Sequence, residues 1–521
     1  MLTVGILVGV NRLSSQRLKF GKLAGDMKTV ALKSAFVAPS LVVLTTLLSA
    51  CGQAPHADNA PPAASSSESF QEGRDEVENI VINTWAGAAA VREIPDMGET
   101  RHPHLKSLSR FLLVETSSAI VTSNYLKAMR TDPPGGIVFW NSSKAGSQEL
   151  ASAIKRYSEE LERANQSPIL FSLDYEGGGL SMAPSGKNIP GIQRFRQGFT
   201  DTAHGSWLGR SLAQYGTELC GLHGRIMGAE LSAVGINYPL TLVADLQQNL
   251  FKTRGVSRDA REVAECLAVF THEMAKAGPV IAVTKHYPGL GQNVGDTHDV
   301  ESVSIAKTRA DSDRHLLPFR QLIAFANREG LESRLSIMSS HGKFPHYDPH
   351  HLTTESEVLL TKMMRDEFGF KGIRVSDAMW MGGYGSLDGA QLYAVYLNAF
   401  RSGLDLLMIP GNRFGGALRA FRAVYLNEAP ADLIAALETR SGLSYGEFRA
   451  QFLSRVEESL GRIQATMQTL PYAHKSIREF QMRMGEAAQP RDATPRERAR
   501  YNQILKSLAP NLFSDLSTEP R

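Results

Sequence analysis

The feature of this sequence that most restricts its fold is an alternation of short apolar runs with longer amphipathic stretches between about residues 80 and 470. The runs have the length of β-strands, and the stretches between them show helical spacing. Eight strand-then-helix units predict an α/β fold, a (β/α)8 barrel of the TIM type with trailing C-terminal helices, and a doubly wound open sheet is the alternative. The predicted strands are residues 110–114, 136–140, 169–174, 236–245, 280–285, 335–340, 372–376 and 404–409.

Polar side chains follow several of these runs at their carboxyl ends, which is the edge where barrel enzymes carry their functional residues. One such residue could be a helix N-cap, because Asp and Ser are favoured there. Five strand ends of this kind predict a site instead. The residues are Asp174 and Glu176, Asp245, Lys285 and His286, His341, and Ser376 and Asp377.

The first 80 residues have a different character. A basic stretch beginning at Met27 is followed by an apolar run too short for the roughly 20 residues of a membrane span. The run ends in Leu-Ser-Ala before Cys51, which resembles the lipobox of bacterial lipoproteins. This resemblance predicts a signal over residues 1–50, with Met27 as an alternative start, and lipidation of Cys51. A buried helix followed by an incidental cysteine is the competing interpretation.

The remaining segments complete the predicted domain organisation. Residues 51–79 are rich in Ala, Pro and Ser and predict a flexible tether behind the lipidated cysteine. Residues 80–470 form the predicted barrel, and residues 471–521 form a charged tail that is helical or partly disordered. The chain is therefore expected in a bacterial cell envelope, on the periplasmic face of the outer membrane if the cell is Gram-negative.

Charge and cysteine content bear on which partners and cofactors the chain is expected to bind. Removing residues 1–50, which hold six Lys/Arg and one acid, changes the formal net charge from +3 to −2, so nothing argues for a nucleic-acid partner. Cys220 and Cys266 lie in predicted helices, where we favour buried free thiols, although an exported protein permits a disulfide. No cysteine and histidine spacing suggests zinc, and no metal or cofactor is expected.

Six separated blocks occur along the chain: PPGGIVFW (133–140), LDYEGGG (173–179), QRFRQGFT (193–200), GINYPLTLVADLQQN (235–249), KHYPGLG with the DTH element (285–298), and GFKGIRVSDAM (369–379). Together these blocks resemble glycoside hydrolase family 3, in particular its β-N-acetylglucosaminidase branch. The resemblance covers roughly residues 100–415, and the blocks occur in family order. The Asp-x-His element separates this branch from the β-glucosidases of the family.

The resemblance implies a retaining enzyme that releases terminal β-linked N-acetylglucosamine, with peptidoglycan fragments as the expected substrate. Asp377 matches the nucleophile, His298 the acid/base, and Asp296 the partner that orients the imidazole. An imidazole titrates near 6.5, so it can serve as both acid and base near neutral pH. The residues that match sugar-binding positions are Asp174, Arg194, Arg254, Lys285 and His286.

The sequence departs from the family pattern at four places. Tyr175 replaces the usual Gln, Gly179 the usual Arg, and Leu290 the usual His, and residues 180–192 are inserted. Several alternatives stay open: chitin-derived substrates, a β-glucosidase, a phosphorolytic enzyme, or a non-catalytic glycan-binding lipoprotein. The expected partners are a carbohydrate and, through Cys51, a membrane. The oligomeric state is not indicated.

Overall fold

A computed structural model of the chain describes residues 102–116, 121–140, 142–176, 212–248, 251, 254–384 and 387–483. All of these residues belong to one compact unit. The described strands are β1 (Leu112–Thr116), β2 (Gly136–Phe139), β3 (Leu170–Ser172), β4 (Leu240–Val243), β5 (Ala282–Tyr287), β6 (Asn293–Val294), β7 (Ser302–Ser304), β8 (Leu335–Ser339), β9 (Gly342–Phe344), β10 (Asp348–Leu352), β11 (Ile373–Ser376) and β12 (Leu407–Pro410).

Eight of these strands form two parallel sheets, in the orders β12-β1-β2-β3 and β11-β8-β5-β4. Each of the eight overlaps one predicted run, so the α/β prediction is confirmed. Their side chains are almost entirely buried, as expected for strands covered on both faces. The other four strands form a small mixed sheet, β10-β9-β7-β6, which the sequence did not predict.

Helices lie between the strands and after them. Their ends follow ordinary capping chemistry: Thr308 and Asp311 form a capping box at one N-terminus, and Ser444 and Glu447 form another. A π-helical segment spans Val358–Glu367. The described α-helices are α1 (Ser123–Thr131), α2 (Ser142–Arg163), α3 (Leu212–Val234), α4 (Ala260–Ala277), α5 (Arg309–Glu329), α6 (Gly389–Ser402), α7 (Phe414–Leu426), α8 (Ala431–Ser441), α9 (Tyr445–Gln468) and α10 (Ala473–Arg483).

Helices α3 and α4 are joined by a disulfide between Cys220 and Cys266, whose Cα atoms are 5.3 Å apart. The expectation of two free thiols is therefore wrong. Glycines on α3 allow the close approach, because a Cβ at Gly224 would lie 2.3 Å from the carbonyl oxygen of Phe270, and one at Gly228 would lie 2.9 Å from the carbonyl oxygen of Met274. Two helices packed this closely bring facing cysteines within bonding range.

Helix α9 is attached to the sheets through Asp405, which is fully buried. The carboxylate accepts hydrogen bonds from the side chains of Arg455 (3.0 Å) and Arg462 (2.8 Å) on α9 and from the backbone N–H of Arg374 on β11 (3.0 Å). Burial alone would raise the pKa of this carboxylate, but the four arginines close to it hold the pKa well below its ordinary value. An unpaired charge here would be costly, so the cluster fixes the trailing helices.

The last helix of the described residues, α10, lies within the predicted tail and packs against α2. The backbone N–H of Ala473 donates to Ser158 (2.8 Å), and Lys475 pairs with Glu162 (2.5 Å). The packed structure thus extends to Arg483, and residues 484–521 lie outside the described residues. The predicted signal, the lipidation site at Cys51 and the predicted tether also lie outside them. Among the helices that are described, none has the length and apolarity to cross a bilayer.

Candidate active site

A cluster of buried charges forms at the carboxyl ends of β3 and β5. The ammonium group of Lys285 contacts Asp174 (2.8 Å) and Glu176 (2.6 Å), and Arg254 donates two hydrogen bonds to Glu176 (2.9 and 2.7 Å). Burial opposes the ionisation of Glu176, but the charges of Lys285 and Arg254 outweigh it and lower its pKa to about 2. Burial likewise opposes the charge on Lys285, but Asp174 and Glu176 raise its pKa. Glu176, Lys285 and Arg254 are therefore charged at neutral pH.

His286, the next residue along β5, is oriented by Asp245. One carboxylate oxygen of Asp245 lies 2.7 Å from Nδ1 of His286 and also accepts the backbone N–H of His286 (3.0 Å). The other oxygen accepts the backbone N–H of Gly291 (3.3 Å). Asp245 thus links the histidine to the loop that follows β5 and fixes its ring orientation.

Asp377 directly follows β11. Its backbone N–H donates to the carbonyl of Ser339 at the end of β8 (3.0 Å), and its carboxylate accepts the N–H of Ala378 (2.8 Å). Burial would raise the pKa of Asp377, but His286, His341 and the Ala378 N–H together lower it. The side chain is therefore an anion at neutral pH, held by a rigid strand end.

His341 supports the residue after Asp377. Nε2 of its ring lies 3.0 Å from the carbonyl oxygen of Ala378, and Nδ1 lies 2.7 Å from the hydroxyl oxygen of Thr354. Burial lowers the pKa of His341, so the ring is neutral near pH 7. His341 therefore acts as a structural residue that holds the backbone next to Asp377.

Asp296 and His298 form a hydrogen-bonded pair on the loop between β6 and β7. Oδ1 of Asp296 lies 2.7 Å from Nδ1 of His298 and accepts its backbone N–H (3.0 Å). Burial opposes the ionisation of Asp296, but the hydrogen bonds from His298 lower its pKa. The imidazole is more than half exposed, and its second nitrogen, Nε2, is directed away from Asp296. An imidazole held in this way can pass a proton through Nε2.

This loop is hydrogen-bonded to the segment that follows Asp377. The backbone N–H of Gly382 donates to the carbonyl of His298 (2.8 Å), and that of Gly383 donates to the carbonyl of Thr297 (3.1 Å). A Cβ at Gly382 would lie 2.6 Å from the His298 oxygen, so only glycine allows this approach without displacement. The predicted acid/base and the predicted nucleophile therefore lie on two loops in direct contact.

Sequence reasoning missed Glu115 and Trp380. Glu115 lies at the end of β1, is 8% exposed, and accepts a hydrogen bond from the indole N–H of Trp380 (2.7 Å). Burial raises the pKa of Glu115 to about 8. Hydrogen bonds from the indoles of Trp380 and Trp140 oppose this rise, whereas the charges of Asp377 and Asp174 add to it. The carboxyl group is therefore protonated at neutral pH. The signal was present, because Glu115 directly follows the first predicted strand (residues 110–114), just as Asp174 closes the third (residues 169–174).

The structure brings together most of the predicted site residues. Asp174, Lys285 and Arg254 share one charged cluster, while His286 and Asp377 interact electrostatically. Arg194 lies outside the described residues, as do Gly179 and the 180–192 insertion. In the described part of the chain, no group of three or more His, Cys, Asp or Glu side chains could hold a metal ion.

Two of the departures from the family pattern are visible. The hydroxyl of Tyr175 donates to Glu230 on α3 (2.5 Å), while its neighbours Asp174 and Glu176 both contact Lys285. The alternation along the strand thus directs Tyr175 away from the charged cluster. Leu290 lies on the loop that follows β5, and its side chain is buried.

Comparison with known proteins identifies the class of enzyme. The family model for the glycosyl hydrolase family 3 N-terminal domain matches residues 120–432. The chain belongs to this family and is a glycoside hydrolase.

Two curated relatives illustrate the similarity. A β-hexosaminidase of Nitrosospira multiformis is 28% identical over 281 residues, which cover 52% of this chain and 72% of the relative. A β-hexosaminidase of Thioalkalivibrio sulfidiphilus is 26% identical over 348 residues, which cover 64% of this chain and 91% of the relative.

Solved structures agree in fold. A family 3 β-N-acetylglucosaminidase from a Paenibacillus species matches with a TM-score of 0.58 and 22% identity, over 77% of this chain and 67% of that one. A β-N-acetylhexosaminidase from Beutenbergia cavernae matches with a TM-score of 0.55 and 21% identity, over 70% of this chain and 98% of that one.

Proposed function

We propose that the eight parallel strands close into one (β/α)8 barrel. Single parallel bridges connect the edges of the two sheets, one between Asp174 and Leu240 and one between Val375 and Leu406. The backbone N–H of Leu240 donates to Leu173 (3.0 Å), and that of Ser376 donates to Leu406 (3.0 Å). These contacts support a circular strand order, in which the carboxyl ends of all eight strands surround one pocket.

We infer that this pocket carries out retaining hydrolysis of terminal β-linked N-acetylglucosamine. The observation that supports this most directly is the contact between two loops, one of which carries the ionised carboxylate of Asp377 and the other the carboxylate-oriented imidazole of His298. The β-hexosaminidase names of the relatives support the choice of sugar. The Asp296–His298 pair supports the assignment to the acetylglucosaminidase branch.

In the first step of the proposed reaction, a carboxylate oxygen of Asp377 attacks the anomeric carbon. As that bond forms, the glycosidic C–O bond breaks and Nε2 of the His298 imidazolium donates its proton to the departing oxygen. Asp296 stabilises the imidazolium through Nδ1. The leaving group departs as an alcohol, and the sugar remains as an ester of Asp377.

In the second step, the neutral His298 takes a proton from water through Nε2, and the water oxygen attacks the anomeric carbon. The ester bond breaks, Asp377 regains its negative charge and His298 is again protonated. Two displacements at one carbon return the sugar with its original β configuration.

The charged cluster would hold the sugar at its non-reducing end. Asp174 offers carboxylate oxygens, and Lys285 and His286 offer donors, to the ring hydroxyls. Arg254 supports the cluster by pairing with Glu176. Arg194 also belongs to the proposed set of sugar-binding residues, and only its match to the family sequence pattern supports it.

For the location, we propose export followed by lipid anchoring at Cys51. The apolar segment before Cys51 motivates this proposal, and the Cys220–Cys266 disulfide is consistent with an oxidising compartment. In the envelope, muropeptides derived from peptidoglycan are the nearest source of terminal N-acetylglucosamine. Incorporation of a labelled fatty acid into wild type but not into a Cys51→Ala variant would test the anchor.

Hydrolysis of aryl glycosides tests the activity. We expect turnover of an aryl β-N-acetylglucosaminide well above that of the matching β-glucoside, and loss of activity in Asp377→Ala. A preference for the glucoside would contradict the sugar assignment. Equal, negligible turnover by wild type and Asp377→Ala on every sugar would contradict the enzyme assignment.

A further inference from the structure

Trp380 is exposed beside the site, although large aromatic side chains are usually buried. It lies three residues after Asp377 and is 47% exposed. Of the large apolar side chains in the described residues, only three others are exposed, and two of these, Val294 and Val300, flank the Asp296–His298 pair. The exposed apolar surface is therefore concentrated around the two loops in contact.

The Trp380 side chain is fixed although its surface is open. The backbone around it is tied down by hydrogen bonds from Met379 to the carbonyl of Met408 (2.9 Å) and from Met381 to that of Ala378 (3.1 Å). Its indole N–H donates to the buried carboxyl group of Glu115 (2.7 Å). One edge of the ring is thus anchored while nearly half of the side chain remains open, so little conformational entropy is lost when a ligand packs on it.

The position of Trp380 corresponds to the leaving-group side of the site. His298 must reach the departing oxygen, so the leaving group has to lie next to the loop that carries His298. Gly382, two residues after Trp380, donates a hydrogen bond to the carbonyl of His298 (2.8 Å). The groups that would hold the non-reducing sugar, Asp174 and Lys285, lie instead at the ends of β3 and β5.

We propose that Trp380 is a specificity-determining residue that stacks against the pyranose ring of the leaving group, and that Glu115 is the positioning residue that fixes its indole. The inference rests on the proposed function. A pyranose ring presents a face of C–H groups, and such a face packs favourably on an aromatic ring. The site should therefore bind a substrate with a sugar as the leaving group better than its monosaccharide product.

Binding to the catalytically disabled Asp377→Asn protein tests the proposal, with titration calorimetry as the measurement. The probes are N,N′-diacetylchitobiose, which reaches the leaving-group side, and N-acetylglucosamine, which does not. We expect Trp380→Ala to lower the ratio of disaccharide to monosaccharide affinity about tenfold, and Trp380→Phe to restore most of it. An unchanged ratio in Trp380→Ala would overturn the proposal.

Two substitutions of Glu115 test the positioning role. Glu115→Gln keeps a neutral acceptor for the indole N–H, so it should keep the affinity ratio. Glu115→Leu removes that acceptor and should lower the ratio as Trp380→Ala does. If Glu115→Leu keeps the ratio while Trp380→Ala lowers it, the positioning role is wrong.

Failure of the proposed function would look different. If the Asp377→Asn protein binds neither sugar and wild type hydrolyses no N-acetylglucosaminide, the function itself is wrong and the inference is overturned with it. If wild type hydrolyses chitobiose but Trp380→Ala has the same ratio of disaccharide to monosaccharide affinity as the protein with Trp380, the function stands. This inference alone is then overturned.

Discussion

The backbone N–H of Gly382 donates to the carbonyl oxygen of His298 at 2.8 Å, so the loop carrying the proposed acid/base rests on the segment that follows the proposed nucleophile. The two loops come from distant parts of the chain and meet through backbone atoms. Displacement of either loop should therefore disturb proton donation before it disturbs the fold.

Gly382→Ala should uncouple the two loops. A Cβ at this position would lie 2.6 Å from the His298 oxygen and 2.7 Å from the Asp299 oxygen, and both are backbone atoms with little freedom to move. We expect kcat/KM to fall about 10- to 100-fold, because small displacements of catalytic groups have effects of that size. Gly461→Ala, where a Cβ meets no atom within 4 Å, is the matched control and should keep wild-type kinetics. Equal kinetics for the two variants would contradict the coupling.

His298→Ala should affect substrates according to their leaving groups. A good leaving group such as dinitrophenolate needs little protonation, whereas an alkyl or sugar alkoxide needs much. We expect a loss of about 10²- to 10⁴-fold in kcat/KM on the poor leaving group and a far smaller loss on the good one. Asp377→Ala is the comparison and should lose activity on both. Equal losses on both substrates in His298→Ala would count against its role as the acid.

Glu115 should make stability depend on pH. Its pKa is about 8 in the folded protein against 4.5 for the free side chain, so the folded state binds the extra proton. The resulting stabilisation is complete below about pH 4.5 and is lost as the pH rises to about 8. Urea unfolding measures the free energy of unfolding of wild type and of Glu115→Gln at each pH. Between pH 5 and pH 8, wild type should lose a few kcal/mol relative to Glu115→Gln. A pH-independent difference would show that Glu115 does not carry the proton.

The Cys220–Cys266 disulfide should contribute strongly to stability. It closes a loop of 46 residues, for which the chain-entropy relation gives about 4 kcal/mol. A reducing agent should lower the free energy of unfolding of wild type by about this amount and leave a Cys220→Ala/Cys266→Ala variant unaffected. If reductant lowers the stability of both proteins equally, the disulfide is not the cause.

Asp405→Asn should destabilise the protein without acting on the site. Removing the negative charge leaves the buried guanidinium groups of Arg374 and Arg455 without their counter-ion, which should cost about 3–5 kcal/mol. Asp366→Asn, at an exposed position, is the control and should change the free energy of unfolding by less than about 0.5 kcal/mol. Denaturant unfolding measures both. If Asp405→Asn lowers the free energy of unfolding no more than Asp366→Asn does, the structural role of the cluster is contradicted.

The features that could be predicted from the sequence are those that depend on the pattern of apolar and polar residues within a short segment. The eight strands were found because buried parallel strands are continuous apolar runs, and Asp174, Lys285 and Asp377 were found because each lies at a strand end. Features that depend on distant contacts were missed. Glu115 meets Trp380 across 265 positions, and the pairing of Cys220 with Cys266 required the closeness of α3 and α4.

The proposed mechanism requires a covalent bond between Asp377 and the sugar. Incubation of wild type with a fluorinated N-acetylglucosamine analogue that slows the second step, followed by proteolysis and mass spectrometry, tests it directly. We expect a mass increase of one sugar on the peptide containing Asp377, and no labelling in Asp377→Ala. A label on another carboxylate, or hydrolysis of an aryl N-acetylglucosaminide with inversion of configuration, would contradict it.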